Sequence, residues 1–135
     1  MMDCAYIGDS IAVGLQQLDN ECAIHARVGA GSGFITQRYT GNNSTDYVVI
    51  SMGSNDPNNP ALAENARALR RSLRAAVVIW ILPYNRTAAT RIQAVADNFG
   101  DSWIALKSFN SRDGVHPSYR PVANAVQETL DVAYD

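Results

Sequence analysis

The sequence predicts an α/β fold, a three-layer α/β/α sandwich built on a five-stranded parallel sheet with the flavodoxin-like strand order 2-1-3-4-5. Short apolar runs alternate with longer segments of helical periodicity along the whole chain, which is typical of strands joined by crossover helices. The runs Tyr47–Ser51 and Val77–Leu82 are almost wholly apolar, as expected of strands that are covered on both faces. Right-handed crossovers then leave few possible topologies, and the flavodoxin-like order is our choice among them.

Each element has a local signal at its boundary. Gly8 ends the first strand, the glycine-rich stretch 29–33 separates the second strand from a short helix, Pro60 precedes a long alanine- and leucine-rich helix, and Pro117 suits the opening of the last helix. The predicted strands are 4–7, 22–26, 47–51, 77–82 and 103–106. The predicted helices are 11–18, a short helix ending at 39, 61–75, 87–99 and 117–133. We expect residues 1–135 to form one domain, because this length leaves no room for a second.

Composition excludes several classes of partner. The net charge is -2, and the clustered arginines at 67, 70, 71 and 74 have the helical spacing of a solvated helix face, so we do not expect nucleic acid as a partner. The longest apolar stretch, 75–83, is too short to cross a bilayer. No cysteine or histidine spacing typical of a metal site is present, and we expect neither a metal nor another cofactor. The sequence does not indicate the oligomeric state.

The cysteines and the first residues bear on the compartment. Cys4 and Cys22 each lie in a short apolar run, and we expect both to be buried free thiols. The chain runs from Met1-Met2-Asp3 directly into a strand, so we expect no signal peptide and a cytoplasmic or virion-associated protein. For the same reason, the glycosylation sequons at Asn42, Asn43 and Asn85 are interpreted as chance matches.

Residues able to perform chemistry follow the predicted strands at their carboxyl ends, where α/β sheets place their sites. Ser10 follows strand one, and His116 lies three residues after Asp113 at the start of the last helix. Such a carboxylate can orient the imidazole, which then takes the proton of a serine nucleophile. Asn55, after strand three, can stabilise an oxyanion without carrying a charge. Taken alone, each residue is equally explained by a helix cap or a turn; their joint occurrence predicts a Ser10–His116–Asp113 triad.

These segments resemble the motifs of the SGNH hydrolases, the GDSL-type esterases and lipases. Gly-Asp-Ser at 8–10 resembles the first motif of that family, Gly-Ser-Asn-Asp at 53–56 the third, and Asp-Gly-Val-His-Pro at 113–117 the fifth. The resemblance implies an α/β/α fold and ester hydrolysis through an acyl-enzyme. It also implies an oxyanion hole made by the amides of Ser10 and a second-motif glycine with the Asn55 side chain. Gly29 is our choice of glycine, with Gly31 and Gly33 as alternatives.

The chain is much shorter than is usual for that family, and is similar in size to compact versions found in bacteriophages. Trimmed loops favour a shallow site and a short acyl group such as acetyl, carried by a carbohydrate or a small alcohol. The predicted substrate rim comprises Asp9, Asp56, Tyr84 and Arg86. Two further hypotheses remain open at this point: a thioesterase or lysophospholipase using the same triad, and a non-catalytic carbohydrate-binding or virion structural module that keeps the fold.

Overall fold

A computed structural model describes residues 2–41, 44 and 46–135, so that the sequons at Asn42 and Asn43 lie outside the described residues. Five strands form one sheet in the order β2-β1-β3-β4-β5, and every pairing between neighbours is parallel. This confirms the predicted fold class and strand order. The strands are β1 (Cys4–Gly8), β2 (Ala23–Ala26), β3 (Tyr47–Ser51), β4 (Val77–Leu82) and β5 (Ser102–Ala105).

Five α-helices cover both faces of the sheet, and two separate groups of buried side chains fill the space between the layers. The helices are α1 (Ser10–Gln16), α2 (Ser32–Tyr39), α3 (Leu62–Arg71), α4 (Arg86–Phe99) and α5 (Tyr119–Ala133). One group of buried side chains packs beneath α2, α3 and α4, and the other packs beneath α1 and α5. A short 3-10 helix, Leu106–Ser108, follows β5 and was not predicted.

Two helix ends differ from the predicted ones for local reasons. Helix α3 ends at Arg71 rather than at 75, because the chain turns there and the amide of Leu73 bonds the carbonyl oxygen of Arg70 at 3.1 Å. Helix α5 begins at Tyr119 rather than at 117, since Pro117 forms an isolated antiparallel bridge with Ser111. That bridge holds the segment that carries His116.

The two cysteines form a disulfide, and the expectation of free thiols was wrong. The parallel register pairs Ala5 with Ala23, which places Cys4 and Cys22 side by side at the start of neighbouring strands. Their Cα atoms are 4.8 Å apart, within the range that a disulfide spans. A separation of 18 residues in sequence contains no information on this register, so the pairing was not visible in the sequence.

One of the four clustered arginines is not part of a solvated face. Arg70 forms a bidentate ion pair with Asp101, at 2.7 and 2.9 Å, and the indole N–H of Trp80 donates to the same carboxylate at 2.9 Å. Only 16% of the Arg70 side chain and 5% of the Asp101 side chain are exposed. The pair therefore ties α3 to the loop before β5.

Among the described residues, no helix is long and apolar enough to span a membrane.

Candidate active site

Ser10 is the first residue of α1, immediately after the turn that leaves β1. Gly8 has a φ of +141°, and a Cβ atom there would lie 1.8 Å from the carbonyl oxygen of Ser51 on β3, so only glycine fits this turn. The next residue, Asp9, caps α1 by accepting a hydrogen bond from the amide of Ile11 at 3.1 Å. Asp9 is therefore the helix cap, and the hydroxyl of Ser10 is not used for capping.

Asp9 was predicted at the substrate rim, but the structure places it inside the protein with no exposed surface. Its Oδ1 accepts a hydrogen bond from the Ser51 hydroxyl at 2.8 Å, whereas Oδ2 is buried with no hydrogen-bond partner in the described structure. Burial raises the pKa of Asp9 to about 6, against the opposing effect of the bonds from Ser51 and Ile11. Asp9 therefore fixes the β1–α1 turn against β3 and is not part of the surface around Ser10.

The Ser10 hydroxyl meets the imidazole of His116, although the two residues are 106 positions apart in the sequence. Ser10 Oγ lies 2.8 Å from Nε2 of His116, and Nδ1 of His116 lies 2.8 Å from Oδ2 of Asp113. The three predicted triad residues are thus brought together in hydrogen-bond order. In this order the carboxylate fixes the proton on Nδ1 and leaves Nε2 free to accept the serine proton.

The Asp113 carboxylate uses both of its oxygens. While Oδ2 faces the imidazole, Oδ1 accepts hydrogen bonds from the backbone amides of Val115 at 2.9 Å and His116 at 2.7 Å. The bond from the His116 side chain and those from the two amides hold the pKa of Asp113 well below its usual range. The carboxylate is therefore ionised throughout the neutral range, as the orienting residue of a triad must be.

Sequence reasoning missed Ser111, which shapes the same turn. Its hydroxyl donates to the carbonyl oxygen of His116 at 2.6 Å and accepts the amide of Gly114 at 2.9 Å. The available signal was a serine two residues before an Asp-Gly pair, since both residue types bond the backbone in turns. Ser111 thus holds the loop that sets the distance between Asp113 and His116.

The triad is open to solvent. The exposed fractions of the His116 and Asp113 side chains are 43% and 54%. Water therefore reaches the imidazole directly, and charge interactions within the triad are partly screened.

The glycine-rich loop after β2 begins with a tight turn over residues 27–30. The amide of Ala30 donates to the carbonyl oxygen of Arg27 at 3.1 Å, and Gly29 occupies the third position of this turn with a φ of +80°. A positive φ at that position is the requirement that favours glycine. Asn55 lies in the loop after β3 and contacts this turn, because its Nδ2 donates a hydrogen bond to the carbonyl oxygen of Ala30 at 2.9 Å. The structure thus places the Asn55 amide beside the Gly29 turn.

The alternative glycines lie further into the helix. Gly31 is the N-cap of α2 and Gly33 is the second residue of that helix. Asp56, a predicted rim residue, is only partly exposed and accepts bonds from the amide and the hydroxyl of Ser32, the latter at 2.5 Å. Asp56 therefore clamps the start of α2 against the loop after β3, and its carboxylate is engaged within the protein.

The other two predicted rim residues follow β4. The hydroxyl of Tyr84 donates to the carbonyl oxygen of Phe109 at 2.9 Å, which braces the chain that leads to the Asp113 turn. Arg86 is exposed at the first position of α4. Tyr84 also lines a cleft of about 360 Å³, together with Ser54 and Val115. Gly114 and Val115 line the same cleft and lie between Asp113 and His116 in the chain, so the cleft adjoins the Asp113–His116 turn.

The described residues contain no group of three or more histidine, cysteine, aspartate or glutamate side chains arranged to hold a metal ion.

Comparisons with known proteins bear on the fold. No protein-family model matches the sequence, and no curated protein matches it significantly. Solved structures do match. A GDSL-like lipase from Bacteroides thetaiotaomicron has a TM-score of 0.73 at 17% identity, over 96% of this chain and 88% of that one. Est24, a carbohydrate acetylesterase from Sinorhizobium meliloti, has a TM-score of 0.64 at 13% identity, over 96% of this chain and all of that one.

A third structure is the C-terminal catalytic domain of the peptidoglycan O-acetyltransferase OatA from Streptococcus pneumoniae. Its TM-score is 0.66 at 17% identity, over 99% of this chain and 95% of the domain. Together these likenesses show that the chain shares the α/β/α fold of these proteins. The chain has the SGNH hydrolase fold, as the sequence motifs indicated. The predicted phage origin stays a prediction.

Proposed function

We propose that this protein is a serine esterase that removes short acyl groups, acetyl above all, from a carbohydrate or small alcohol through an acyl-enzyme. The observation that carries the proposal is the continuous contact Ser10–His116–Asp113, with both hydrogen bonds at 2.8 Å. A helix cap or a structural turn explains each residue separately, but neither requires a serine, a histidine and an aspartate in this order. Serine–histidine contact with a third orienting group is the arrangement that activates a hydroxyl nucleophile.

In the proposed mechanism, Ser10 Oγ attacks the ester carbonyl carbon while Nε2 of His116 takes the hydroxyl proton. The tetrahedral intermediate then collapses, and His116 returns the proton to the leaving alcohol. Water, activated by the same imidazole, attacks the acyl-serine and releases the acid. Asp113 keeps the proton of the neutral imidazole on Nδ1 and stabilises the imidazolium that forms in each half-reaction.

The oxyanion would be bound by the amides of Ser10 and Gly29 and by Nδ2 of Asn55. The amide of Ala30 closes the turn at Arg27 and is therefore not available for this purpose. One N–H of the Asn55 carboxamide is used by Ala30, which fixes the side chain and leaves its second N–H for the oxyanion. Gly29 is our choice over Gly31 and Gly33, because it occupies the positive-φ position of the 27–30 turn, whereas Gly31 is the N-cap of α2 and Gly33 lies within that helix.

Two features support a short acyl group. The cleft beside the triad is bounded by Pro57, Pro83 and Tyr84, and its volume of about 360 Å³ is at the lower end of ordinary ligand pockets. A long acyl chain would need a buried apolar tunnel to shelter it from water, whereas the imidazole of His116 is exposed to solvent.

Acyl transfer to a second alcohol is the alternative that the OatA likeness raises, and a thioester substrate is another. Transfer requires an acyl-enzyme that water does not reach before the acceptor alcohol, which closed sites achieve by excluding solvent. With 43% of the His116 side chain exposed, hydrolysis is favoured. Methanolysis in the presence of added methanol measures this partition directly.

The experiment compares hydrolysis of p-nitrophenyl acetate, butyrate and octanoate by the wild type, Ser10→Ala and Ser118→Ala. Ser118 is an exposed serine close to His116 whose side chain makes no capping bond, so Ser118→Ala is a matched control. We expect acetate to be preferred, Ser10→Ala to be inactive, and Ser118→Ala to match the wild type. Equal rates for the wild type and Ser10→Ala would refute the catalytic proposal and favour a binding module. A preference for octanoate would refute the short acyl group.

A further inference from the structure

A strip of aromatic and basic side chains runs from the Gly29 turn along the edge strand β2 and the neighbouring helix α2. We define this β2–α2 face by His25, Arg27, Phe34, Arg38 and Tyr39. Nothing in the proposed catalytic mechanism uses these side chains.

The side chains of the β2–α2 face form one continuous row of contacts. The guanidinium of Arg27 lies 5.2 Å from the ring centre of Phe34, and that ring is edge-on to Tyr39 with 6.2 Å between centres. Tyr39 lies 6.1 Å from the imidazole of His25, and the guanidinium of Arg38 lies 5.8 Å from the Tyr39 ring. Phe34 and Tyr39 are five residues apart on α2, which separates them by roughly 7 Å along the helix axis.

The two arginines of this face contact aromatic rings but form no ion pair within the described residues. Neither Arg27 nor Arg38 has a carboxylate within ion-pair distance in the described part of the chain, in contrast to Arg70 with its buried partner. Partial burial and the neighbouring charge of Arg38 lower the pKa of His25, which keeps the imidazole neutral at physiological pH. The face therefore presents two unpaired guanidinium groups and one neutral imidazole beside two aromatic rings.

The surface is concave at both ends of the row. A depression of about 290 Å³ is lined by Arg27, Gly29 and Phe34, and a second of about 460 Å³ is lined by His25, Arg38 and Tyr39. The two depressions are separate, and the Phe34–Tyr39 contact lies between them. We refer to the two depressions together as the groove of the β2–α2 face.

One end of the groove reaches the catalytic edge of the sheet. The amide of Arg27 donates to the carbonyl oxygen of Gly8 at 3.0 Å, and Gly8 is two residues from Ser10. Gly29, the proposed oxyanion donor, lines the nearer depression. An alcohol portion that leaves Ser10 on this side therefore lies along the β2–α2 face.

From this arrangement we infer that the β2–α2 face binds an acidic polysaccharide and presents its acyl esters to Ser10. This inference rests on the proposed esterase function. The apolar face of a sugar ring packs against the exposed ring of Phe34 and the half-buried ring of Tyr39, and a guanidinium takes a sugar carboxylate through two parallel hydrogen bonds. Sugar residues bound at Phe34 and Tyr39 would each have an arginine within reach, which matches a chain that carries repeated negative charges.

The first experiment measures kcat/KM for acetate release from acetylated polygalacturonate, divided by kcat/KM for acetylated xylan, which is neutral. We expect the wild type to prefer the acidic polymer. The pairs Phe34→Ala with Tyr39→Ala and Arg27→Gln with Arg38→Gln should each lower this ratio about tenfold or more. Trp103→Ala removes a comparably exposed aromatic side chain from the opposite edge strand, and it should leave the ratio unchanged.

A second experiment separates this inference from the catalytic proposal. Calorimetry with unacetylated polygalacturonate and the Ser10→Ala protein measures binding without turnover. We expect binding that is weakened by about 0.5 M salt and by the Arg27→Gln, Arg38→Gln pair. If the wild type fails on p-nitrophenyl acetate while this binding persists, the esterase proposal is lost and the groove stands.

Two results would refute the proposal that the β2–α2 face binds an acidic polysaccharide. One is an unchanged polymer ratio in both paired variants. The other is a dimer in sedimentation that Ile24→Lys disrupts, because Ile24 is 42% exposed on the edge strand and the face would then be covered by a second copy.

Discussion

Replacing Asp113 by asparagine should inactivate the enzyme by fixing the wrong tautomer of His116. The carboxylate presents one oxygen to two backbone amides, at 2.7 and 2.9 Å, and the other to Nδ1 of His116 at 2.8 Å. Asparagine has only one oxygen. If this oxygen faces the two amides, it accepts two hydrogen bonds instead of one, and the NH2 group does not oppose the amide N–H groups. The NH2 group then faces Nδ1, and the imidazole proton moves to Nε2.

A proton on Nε2 prevents His116 from accepting the Ser10 proton. The same substitution in a chymotrypsin-type triad costs about 10⁴ in kcat. Here 54% of the aspartate side chain is exposed, so the charge contributes less and the tautomer accounts for most of the loss. We expect kcat for p-nitrophenyl acetate to fall by about 10³.

Asp113→Ala is the informative comparison, because it removes the orienting bond without imposing the wrong tautomer. It should retain more activity than Asp113→Asn. Nitrogen-15 NMR of the imidazoles reads the tautomer directly, and the chain has only two histidines to assign. An Asp113→Asn protein that is as active as Asp113→Ala, or one that keeps its His116 proton on Nδ1, would refute this reasoning.

Three further predictions concern other parts of the structure. Asn55→Ala should lower kcat by about 100- to 1000-fold with KM little changed, measured with p-nitrophenyl acetate. Because burial raises the pKa of Asp9 from 3.8 to about 6, the folded protein binds this proton more tightly than the unfolded chain. The free energy of unfolding should therefore fall by about 2 kcal/mol between pH 4 and pH 7, and Asp9→Asn should remove that slope in urea titrations. Replacing Cys4 and Cys22 together by alanine should lower the unfolding free energy by about 2–4 kcal/mol.

Each of these has a clear contrary result. Unchanged turnover in folded Asn55→Ala would remove this side chain from the oxyanion hole. An identical pH slope in Asp9→Asn would assign that slope to other groups. Equal stability of the oxidised and cysteine-free proteins would mean that the disulfide constrains little of the unfolded chain, and reduction of the wild type is the control for repacking around the alanines.

The sequence predicted what depends on pattern and missed what depends on register. Alternating apolar runs and helical segments predicted a parallel sheet, and the flavodoxin-like strand order was our choice among the few that right-handed crossovers allow. Ser10, Asn55 and His116 were found because each follows a strand at the carboxyl edge of the sheet, where parallel topology must bring them together. The disulfide of Cys4 and Cys22 was missed, since it depends on which residues of β1 and β2 are level with each other.

The residues of the predicted substrate rim also could not be identified correctly from the sequence. Asp9 and Asp56 are acidic residues next to catalytic motifs, and a polar side chain there is expected to face substrate. Both instead bond side chains of other elements, Asp9 that of Ser51 on β3 and Asp56 that of Ser32 at the start of α2. Choosing between a loop clamp and a ligand contact requires the positions of partners that are distant in the sequence.

The solvent-open triad has a consequence for how such an enzyme selects its target. A site that water enters freely cannot reject small esters by shape, so selectivity has to come from attraction to the rest of the substrate. The residues that break the bond and the residues that hold the polymer are then separate sets of side chains. Substitutions along one edge strand and one helix could redirect this protein to a different polymer without altering the chemistry at Ser10.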